Sequence, residues 1–551
     1  MTSKTGYPRV AVPAPEPLSV DDALDRLVNQ FSDSMAFFRE LIQNALDAGS
    51  NEVEVSFEHR DGRMIIRVDD WGEGMNRAII ESRLTRLFSS CKDGDRTKIG
   101  KFGIGFVSVF AIEPEAVCID TSRDGEHWRV LFDGQRQFSL IRRDQPVEGT
   151  KLQIYKAASV AEFERFRARA REVVRYWCKH VNGEVRVDGE LITEPFDIDA
   201  PIKTRRMEDE ELVVVGHPRD GQAFAGFYNR GLTLVEERMI PRIAFKASSA
   251  NLEHTLTRDD VIREGGFVRL MSRVHALIGT ELCEQVFAKL DQAVRELDPT
   301  RAMSTSEREW IEYLWAAADY HEQAERSQQT LVRAAASLFR SPGGALLGRE
   351  QLRRPKQRVV IVAPRPTPLT AVLERSGATV VWLPDSCAHG WALLERLAPA
   401  TTTASQWCTA LPPRNSDEAV RWQILATHVA GLLAGWGAKL GGVRLGHLDY
   451  QDSPVTERVA ITQAEFGEAT RLADTGELGT GLFASRRVLV LNADHPTIRT
   501  IAALAQTEPE LAAYLAVKAF FLNPGSTRLD AEVDEKLASL TYASRRQRVS
   551  A

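Results

Sequence analysis

The chain has 551 residues, 43% of them hydrophobic and 26% charged, which indicates a globular protein of about three or four domains, not a disordered one. Its formal net charge of -6 gives no global electrostatic reason to bind nucleic acid. No apolar run could span a bilayer, residues 1–19 lack the apolar core of a signal peptide, and six scattered cysteines predict neither a disulfide framework nor a zinc site. We therefore predict a cytoplasmic protein without membrane association.

The first predicted elements are two helices, SVDDALDRLVNQFS and MAFFRELIQNALDAG, with Ser19 and Ser34 as N-caps and Gly49 as a C-terminal stop. Two strands follow, EVEVSF and RMIIRVDD, and a polar stretch then leads into the glycine-rich IGKFGIGF. Antiparallel strands are predicted at residues 117–155 and a long amphipathic helix at residues 160–181.

Farther along, the strand patterns ELVVVG, AFAGFYN and GLTLVEE precede a mainly helical region at residues 263–339. The segment RSPGGALLGREQLRRPKQ reads as a loop. The order RVVIVAP, LTAVLERSG, TVVWLPD predicts a strand–helix–strand unit typical of α/β domains. The last region combines the strands GHLDYQ and RRVLVLN with two amphipathic helices. Joins at residues 188–210 and 400–415 predict the domain boundaries.

The motif RELIQNALDAG places Glu40, Asn44 and Asp47 at i, i+4 and i+7, on one face of a helix with apolar neighbours on both sides. Carboxylates in such surroundings are costly unless they bind something. The amide of Asn44 is suited to be one oxygen ligand of Mg²⁺, and Glu40 to orient or deprotonate an attacking water. By itself the pattern is equally compatible with a solvated helix face.

The motif DDWGEGM ends the second strand. We predict that Asp70 accepts a hydrogen bond from the exocyclic amine of adenine and that Met75 packs on the base. Gly72 and Gly74 would let the backbone approach the ring, because they carry no Cβ. Alone, the motif also describes a tight hairpin turn.

The loop IGKFGIGF offers backbone N–H groups and a helix N-terminus to phosphate, although its spacing fits neither a P-loop nor a dinucleotide-binding fold. In GTKLQIY, the hydroxyl of Thr150 is predicted to support Asp70 through a water. The loop residues assigned to nucleotide binding are Gly100, Phe102, Gly103, Ile104, Gly105 and Phe106.

The four motifs, in this order, resemble the GHKL ATPase superfamily of type II topoisomerases, histidine kinases, mismatch-repair ATPases and heat-shock chaperones. The segments LDRLVNQFSDSMAFFRELIQNALDA and IGKFGIGFVSVF are similar to the ninety-kilodalton heat-shock chaperones. That resemblance implies a catalytic arginine, Arg258 in ANLEHTLTRDDVIRE, although Thr255 and Ile262 replace the asparagine and glutamine usual around it. It also implies a phosphate-facing lysine, Lys92, in a diverged lid segment, and VLVLNADHPTIR resembles the segment before the family's dimerising helices.

The resemblance implies an α+β multidomain protein, a short, divergent bacterial-type member of that family. Its domains would be an N-terminal GHKL two-layer α/β sandwich ATPase domain (1–195), an α/β middle domain with the arginine loop (205–400) and a small α+β dimerisation domain (415–551). ATP and Mg²⁺ would be the cofactors, and ATP hydrolysis would close a homodimer on a protein client.

The dimer prediction depends on two helices near the end of the chain, whose apolar residues recur at helical spacing: Leu511, Leu515, Phe521, Leu522, Leu529, Val533, Leu537 and Leu540. A helical hairpin of this size cannot bury its own apolar face, so pairing with a second copy is one solution. Packing back on the same domain is the other.

A nucleic-acid-remodelling GHKL ATPase, of mismatch-repair or chromatin type, is the alternative function. RRPKQR and the arginines at 545, 546 and 548 would favour it, but both runs are also typical of solvated surface, and the acidic total argues against nucleic acid as a partner. A histidine kinase is a third, strongly disfavoured reading, since we find no dimerisation helix with a phosphoacceptor histidine before the ATPase motifs.

Overall fold

The computed structural model describes residues 33–85, 104–255, 260–324, 331–480, 484–523 and 529–550, and the chain divides into two compact units, Met1–Ile278 and Gly279–Ala551. The predictions for the Ser19 cap, Lys92 and Arg258, and for the loop residues Gly100, Phe102 and Gly103, lie outside the described residues.

The first unit opens with a helix and an eight-stranded sheet. The sheet order is β5-β4-β3-β6-β2-β1-β7-β8, and every pairing is antiparallel except the parallel pair β1 and β7. The elements of this layer are α1 (Phe37–Asp47), β1 (Glu52–Arg60), β2 (Arg63–Asp70), α2 (Arg77–Ile79), a π-helical turn (Ile80–Leu84), α3 (Ile104–Val107), a 3-10 helix (Ser108–Ile112), β3 (Ala116–Arg123), β4 (Glu126–Asp133), β5 (Phe138–Arg142), β6 (Thr150–Ala157), α4 (Val160–Cys178), β7 (Glu184–Val187) and β8 (Glu190–Leu191).

Helices α1 and α4 cover this sheet because their apolar faces bury against it. Phe38 and Ile42 of α1 and Val174 of α4 share one core cluster with the strand residues Val55 and Ile154. Helix α4 begins with a capping box between Ser159 and Glu162. This is a two-layer α/β sandwich, as predicted.

The start of α1 differs from the prediction. Ser34 does not cap it; the helix begins at Phe37, and Asp33 organises the preceding turn by accepting a hydrogen bond from the Met35 N–H at 2.9 Å. The end of α1 is as predicted, since Gly49 adopts φ 79° and its N–H donates to the Leu46 carbonyl.

A second, five-stranded sheet with the order β12-β11-β13-β10-β9 completes the first unit, and a helix packs on it. The predicted strands ELVVVG, AFAGFYN and GLTLVEE are all present. The elements are β9 (Ile202–Glu208), β10 (Glu211–His217), β11 (Phe224–Asn229), β12 (Leu232–Glu237), β13 (Ala244–Ser248) and α5 (Gly266–Leu277).

The second unit starts, after the π-helical turn Ile278–Leu282, with an α/β layer whose sheet order is β15-β14-β17-β16-β18. The predicted strand–helix–strand unit is correct, because β16 and β17 are parallel. The region 263–339 is mainly helical, as predicted, and ends in a strand at residues 337–340. One prediction was wrong: the expected loop at 340–357 contains β15 and α9, since Leu347 and Leu352 are buried in the layer. The elements are α6 (Cys283–Glu296), α7 (Thr305–Gln323), α8 (Leu331–Ala335), β14 (Ser337–Arg340), β15 (Leu346–Gly348), α9 (Arg349–Arg353), β16 (Val360–Ala363), α10 (Pro368–Arg375), β17 (Val380–Trp382), α11 (Ala388–Leu397) and β18 (Thr401–Thr403).

The last part of the chain packs helices on a small sheet with the order β20-β23-β21. The strand predicted at GHLDYQ lies earlier in the chain, at Leu440–Gly446. It ends at Gly446 because His447 pairs with Leu411 instead. The elements are a 3-10 helix (Ala404–Gln406), β19 (Trp407–Cys408), α12 (Ser416–Arg421), α13 (Gln423–Trp436), β20 (Leu440–Gly446), β21 (Ala460–Gln463), β22 (Thr470–Arg471), a 3-10 helix (Leu472–Asp474), β23 (Arg487–Asn492), α14 (Pro496–Leu504), α15 (Pro509–Phe521) and α16 (Ala531–Ser550).

Helices α15 and α16 direct much of their apolar surface into their own unit. Leu537 is fully buried, Leu529 and Val533 pack on the same core, and Leu540 lies over Gly435 of α13. Leu522 and Tyr542 remain exposed. No helix within the described ranges has the length and apolarity to cross a membrane.

Candidate functional site

A cavity of about 420 Å³ lies between α1, the segment after β2, and strands β3 and β6. Its volume falls within the range of roughly 300–1,000 Å³ that is usual for small-molecule sites. Its apolar wall comes from Leu41, Ala45, Val68, Met75, Ile119 and Leu152. Polar groups from three sequence motifs meet on the remaining wall, so the cavity combines an apolar surface with convergent polar groups.

Asp70 ends β2 inside this cavity. Its Oδ1 accepts hydrogen bonds from the backbone N–H groups of Gly72, at 2.9 Å, and Thr150, at 3.2 Å. Burial raises the pKa of the Asp70 carboxyl, and these two backbone hydrogen bonds oppose the shift. Because both donors contact Oδ1, the other carboxylate oxygen keeps acceptor capacity for a ligand.

Thr150 contacts Asp70 directly as well, while its predicted contact through the hydroxyl and a water stays a prediction. Its backbone N–H, not its hydroxyl, contacts Asp70, because β6 pairs with β2 at this register. The Thr150 hydroxyl lies instead 3.3 Å from the Thr121 hydroxyl.

The two glycines of DDWGEGM serve different contacts. A Cβ on Gly72 would lie 2.7 Å from the Ala48 carbonyl oxygen, so this glycine lets the segment pack on the end of α1 and does not line the cavity. Gly74 does line it, with φ +67°, and a Cβ there would overlap the Ser122 carbonyl oxygen.

Glu40, Asn44 and Asp47 all line the cavity, as their helical spacing predicts. Glu40 is only 7% exposed and forms an ion pair of 3.2 Å with Arg39, which is also buried. The Arg39 guanidinium lies 4.5 Å from the centre of the Trp177 ring on α4. These contacts hold the Glu40 side chain in the cavity wall.

The described end of the glycine-rich segment approaches the same helix. A Cβ on Gly105 would lie 2.6 Å from Glu40 Oε2, so any other residue here would push the Glu40 carboxylate out of its position. Gly105 and Phe106 line the cavity, and Ile104 begins α3 beside them.

Other residues in and beside the cavity were missed by the sequence analysis. Thr121 accepts a hydrogen bond from the Met75 N–H at 2.8 Å, and Glu73 forms a 2.8 Å ion pair with Arg123. Glu73, Arg123 and Arg83 line the cavity. Thr121 and Arg123 lie on β3, far along the chain and outside any motif, so only the strand pairing brings them here.

Fold and site together define a GHKL-type ATP-binding domain. In agreement, the family described as "Histidine kinase-, DNA gyrase B-, and HSP90-like ATPase" matches residues 35–165, so this segment is an ATPase domain of that family.

Among individual proteins, the chain is similar to bacterial "Chaperone protein HtpG". It is 26% identical to that of Roseobacter denitrificans over 191 residues, which cover 29% of this chain and 30% of the relative. It is 28% identical to that of Wolbachia pipientis wMel over 207 residues, covering 31% and 32%, and 35% identical to that of Anaplasma phagocytophilum over 147 residues, covering 21% and 23%. The chain therefore matches about a third or less of the length of these relatives. The predicted resemblance to the heat-shock chaperones is confirmed for a divergent chain.

Proposed function

We propose that this protein binds ATP in the cavity beside Asp70 and hydrolyses it as a chaperone-like clamp. The observation that carries the proposal is the Asp70 carboxylate, held by two backbone N–H groups in a mainly apolar pocket opposite the polar face of α1. A fixed carboxylate of this kind reads the exocyclic amine of adenine, and Met75 is available to pack on the base.

The polar face of α1 would serve the phosphates. Asn44 would offer its amide oxygen to Mg²⁺, with phosphate oxygens and waters as the other ligands, because Mg²⁺ prefers oxygen ligands and keeps several waters. Bound there, Mg²⁺ would neutralise phosphate charge. Glu40 would orient the attacking water and accept its proton, while Asp47 and the loop around Gly105 would lie beside the nucleotide.

The lid and arginine parts of the proposal are supported by resemblance alone. Lys92 and the residues from Gly100 to Gly103 would face the phosphates, and Arg258 would stabilise charge on the transferred phosphoryl group. We also propose the division into domains at 1–195, 205–400 and 415–551. In support, β8 ends at Leu191 and the second sheet starts at Ile202.

The clamp would be a cytoplasmic homodimer that closes on a protein client. Because Leu537 is buried, and Leu529 and Val533 are partly buried, within their own unit, a C-terminal dimer would need the apolar side chains that remain exposed there. Leu522 is 67% exposed and Tyr542 is 70% exposed. These two residues therefore replace the apolar residues around Leu537 as the proposed dimer contacts.

The basic segments do not favour nucleic-acid remodelling. Arg353 pairs with the buried Glu322, and Arg545 and Arg548 pair with Glu508. Carboxylates thus already pair with three of the arginines that would contact phosphates.

The direct test is calorimetric titration of the full chain with ADP and Mg²⁺, combined with a phosphate-release assay for ATP hydrolysis. We expect saturable ADP binding at one site per chain, and slow but measurable release of phosphate from ATP. A chain that binds no adenine nucleotide would overturn the proposal. Salt-sensitive DNA binding that stimulates hydrolysis would support the nucleic-acid alternative.

A further inference from the structure

The hairpin that joins β11 and β12 of the second sheet brings an arginine to the edge of the nucleotide cavity. Arg230 lies at the tip of this hairpin, and its Nη1 is 3.5 Å from Oδ1 of Asp47, which lines the cavity at the end of α1. Both residues belong to the first compact unit. The contact therefore joins the polar face of α1 to a strand connection to which the sequence analysis assigned no role.

The hairpin is fixed in place by contacts with the end of α4. Gly231, next to Arg230, lies so close to the His180 carbonyl oxygen that a Cβ would overlap it. Leu232 is buried in the same core cluster as the apolar faces of α1 and α4. Elsewhere on the second sheet, the Nζ of Lys246 lies 2.7 Å from Nε2 of His180. The backbone at the hairpin tip is therefore held beside α1, and only the Arg230 side chain has room to reorient.

The turn itself does not require an arginine. Arg230 adopts φ 49° and Gly231 adopts φ 85°, and Asn229 pairs with Leu232 across this two-residue connection. Asparagine, aspartate and glycine are the usual residues in hairpin turns with positive φ, because a larger side chain is sterically disfavoured there. The hairpin therefore presents a cation at a position where a smaller, uncharged residue would form the turn more easily.

The polar face of α1 needs cations if it is to lie beside phosphates. Two of its side chains in the cavity wall, Glu40 and Asp47, are carboxylates, which repel a phosphate. Arg39 pairs with Glu40, and Arg230 faces Asp47. The Arg230 contact of 3.5 Å is longer than the about 2.7–2.9 Å of a charge-assisted hydrogen bond, and a guanidinium has five N–H donors. Arg230 therefore retains donors for an anion that approaches Asp47.

We propose that Arg230 is a phosphate-binding residue of the nucleotide site and is supplied by the second sheet. The inference rests on the proposed function, because it requires the phosphates to lie along α1 near Asn44 and Asp47. When ADP or ATP binds, the guanidinium turns from Asp47 to phosphate oxygens, to which its planar fork donates two parallel hydrogen bonds. The Arg230 side chain is 70% exposed, so this rotation leaves the packing of the hairpin intact. Unlike the proposed contact of Arg258, this contact does not require the γ-phosphate.

The test is calorimetric titration of the full chain and of Arg230→Asn with ADP and with adenosine, at one Mg²⁺ concentration. Asparagine removes the cation and tolerates positive φ, so the variant keeps the turn. We expect ADP affinity to fall about tenfold, the low end for a hydrogen bond to a charged group, because Arg230 is exposed to water. Adenosine affinity should not change, since adenosine has no phosphate.

Arg238→Asn is the matched control. Arg238 follows β12 on the same sheet and donates a hydrogen bond of 3.2 Å to Gln222, and it does not line the nucleotide cavity. This variant loses the same charge, and we expect both affinities to equal those of the wild type. Arg230→Lys keeps the charge without the planar fork, so it should recover part of the ADP affinity.

The inference is overturned if Arg230→Asn binds ADP as tightly as the wild type, or if Arg238→Asn loses as much ADP affinity. Equal losses for ADP and adenosine would also overturn it, because Arg230 would then act only on the shape of the cavity through Asp47. A wild-type chain that does not bind ADP would instead contradict the proposed function itself, so the two failures are distinguishable.

Discussion

The nucleotide cavity and the C-terminal helices are held together by different kinds of contact. Around the cavity the contacts are directional: two N–H groups contact one oxygen of Asp70, and Arg39 contacts Glu40. In α15 and α16 the contacts are mainly apolar, with Phe520 and Leu537 fully buried. Directional contacts specify which atom a ligand meets, whereas apolar burial depends on area and shape and not on one partner. Substitutions should therefore change function in the first region and stability in the second.

The largest effect is expected from Glu40→Gln. Loss of a positioned general base costs about 10²–10⁴-fold in rate, so hydrolysis should fall that far while ADP affinity is unchanged. Gln is preferable to Ala, because the Gln amide keeps an oxygen that can accept a hydrogen bond from the buried Arg39, although both changes remove the charge of the ion pair. A phosphate-release assay measures the hydrolysis rate, and calorimetry measures the ADP affinity. Wild-type turnover in this variant would show that the first motif is not catalytic.

Arg258→Ala is expected to have the next largest effect. Removing one group that stabilises transition-state charge costs about 10²–10³-fold in rate. We expect turnover to fall without loss of ADP affinity, since ADP lacks the γ-phosphate. A fragment ending near residue 195 should bind ATP and hydrolyse it no faster than this variant. If the fragment matches the full chain in activity, the chemistry is confined to the N-terminal domain.

Leu537→Ala tests the other region. Truncating a buried leucine costs about 2–5 kcal/mol, so we expect a large fall in the free energy of unfolding of the second unit, measured in urea. ADP affinity should not change. A stability equal to wild type would mean that α16 is not packed on its own unit. The apolar residues around Leu537 would then again be candidate dimer contacts.

Asp70→Asn should weaken ADP binding, with a smaller change in free energy than the three substitutions above. A hydrogen bond to a charged group contributes about 1.5–3 kcal/mol, which corresponds to about ten- to a hundredfold in affinity. Asp69→Asn is the matched control, because neighbouring strand residues point to opposite faces and Asp69 does not line the cavity. Calorimetry showing equal losses in both variants would contradict the adenine assignment.

Leu522→Asp should have the smallest effect on stability. An exposed position usually changes the free energy of unfolding by no more than about 0.5 kcal/mol. In light scattering, however, the full chain should be a dimer and this variant a monomer. If the wild-type chain is a monomer at micromolar concentration, with or without ATP, the clamp proposal fails.

The sequence by itself determined the local parts of the site. Helical periodicity places Glu40, Asn44 and Asp47 on one face, and the DDWGEGM motif marks a strand end, because both patterns depend on residues close together in the chain. The strand RMIIRVDD was likewise predictable, from the apolar residues along it, and the helix from Val160 was predictable from apolar residues at helical spacing.

Only the tertiary structure decided which distant groups meet. The pairing of β3 with β6 brings Arg123 to the cavity and Thr121 to Met75 beside it, and the packing of the second sheet on α4 brings Lys246 to His180. The apolar spacing of α16 predicted that Leu537 would be buried, but not against what, since the hydrophobic effect carries no direction. Contacts between residues far apart in the chain depend on how sheets and helices pack, and no local pattern encodes that arrangement.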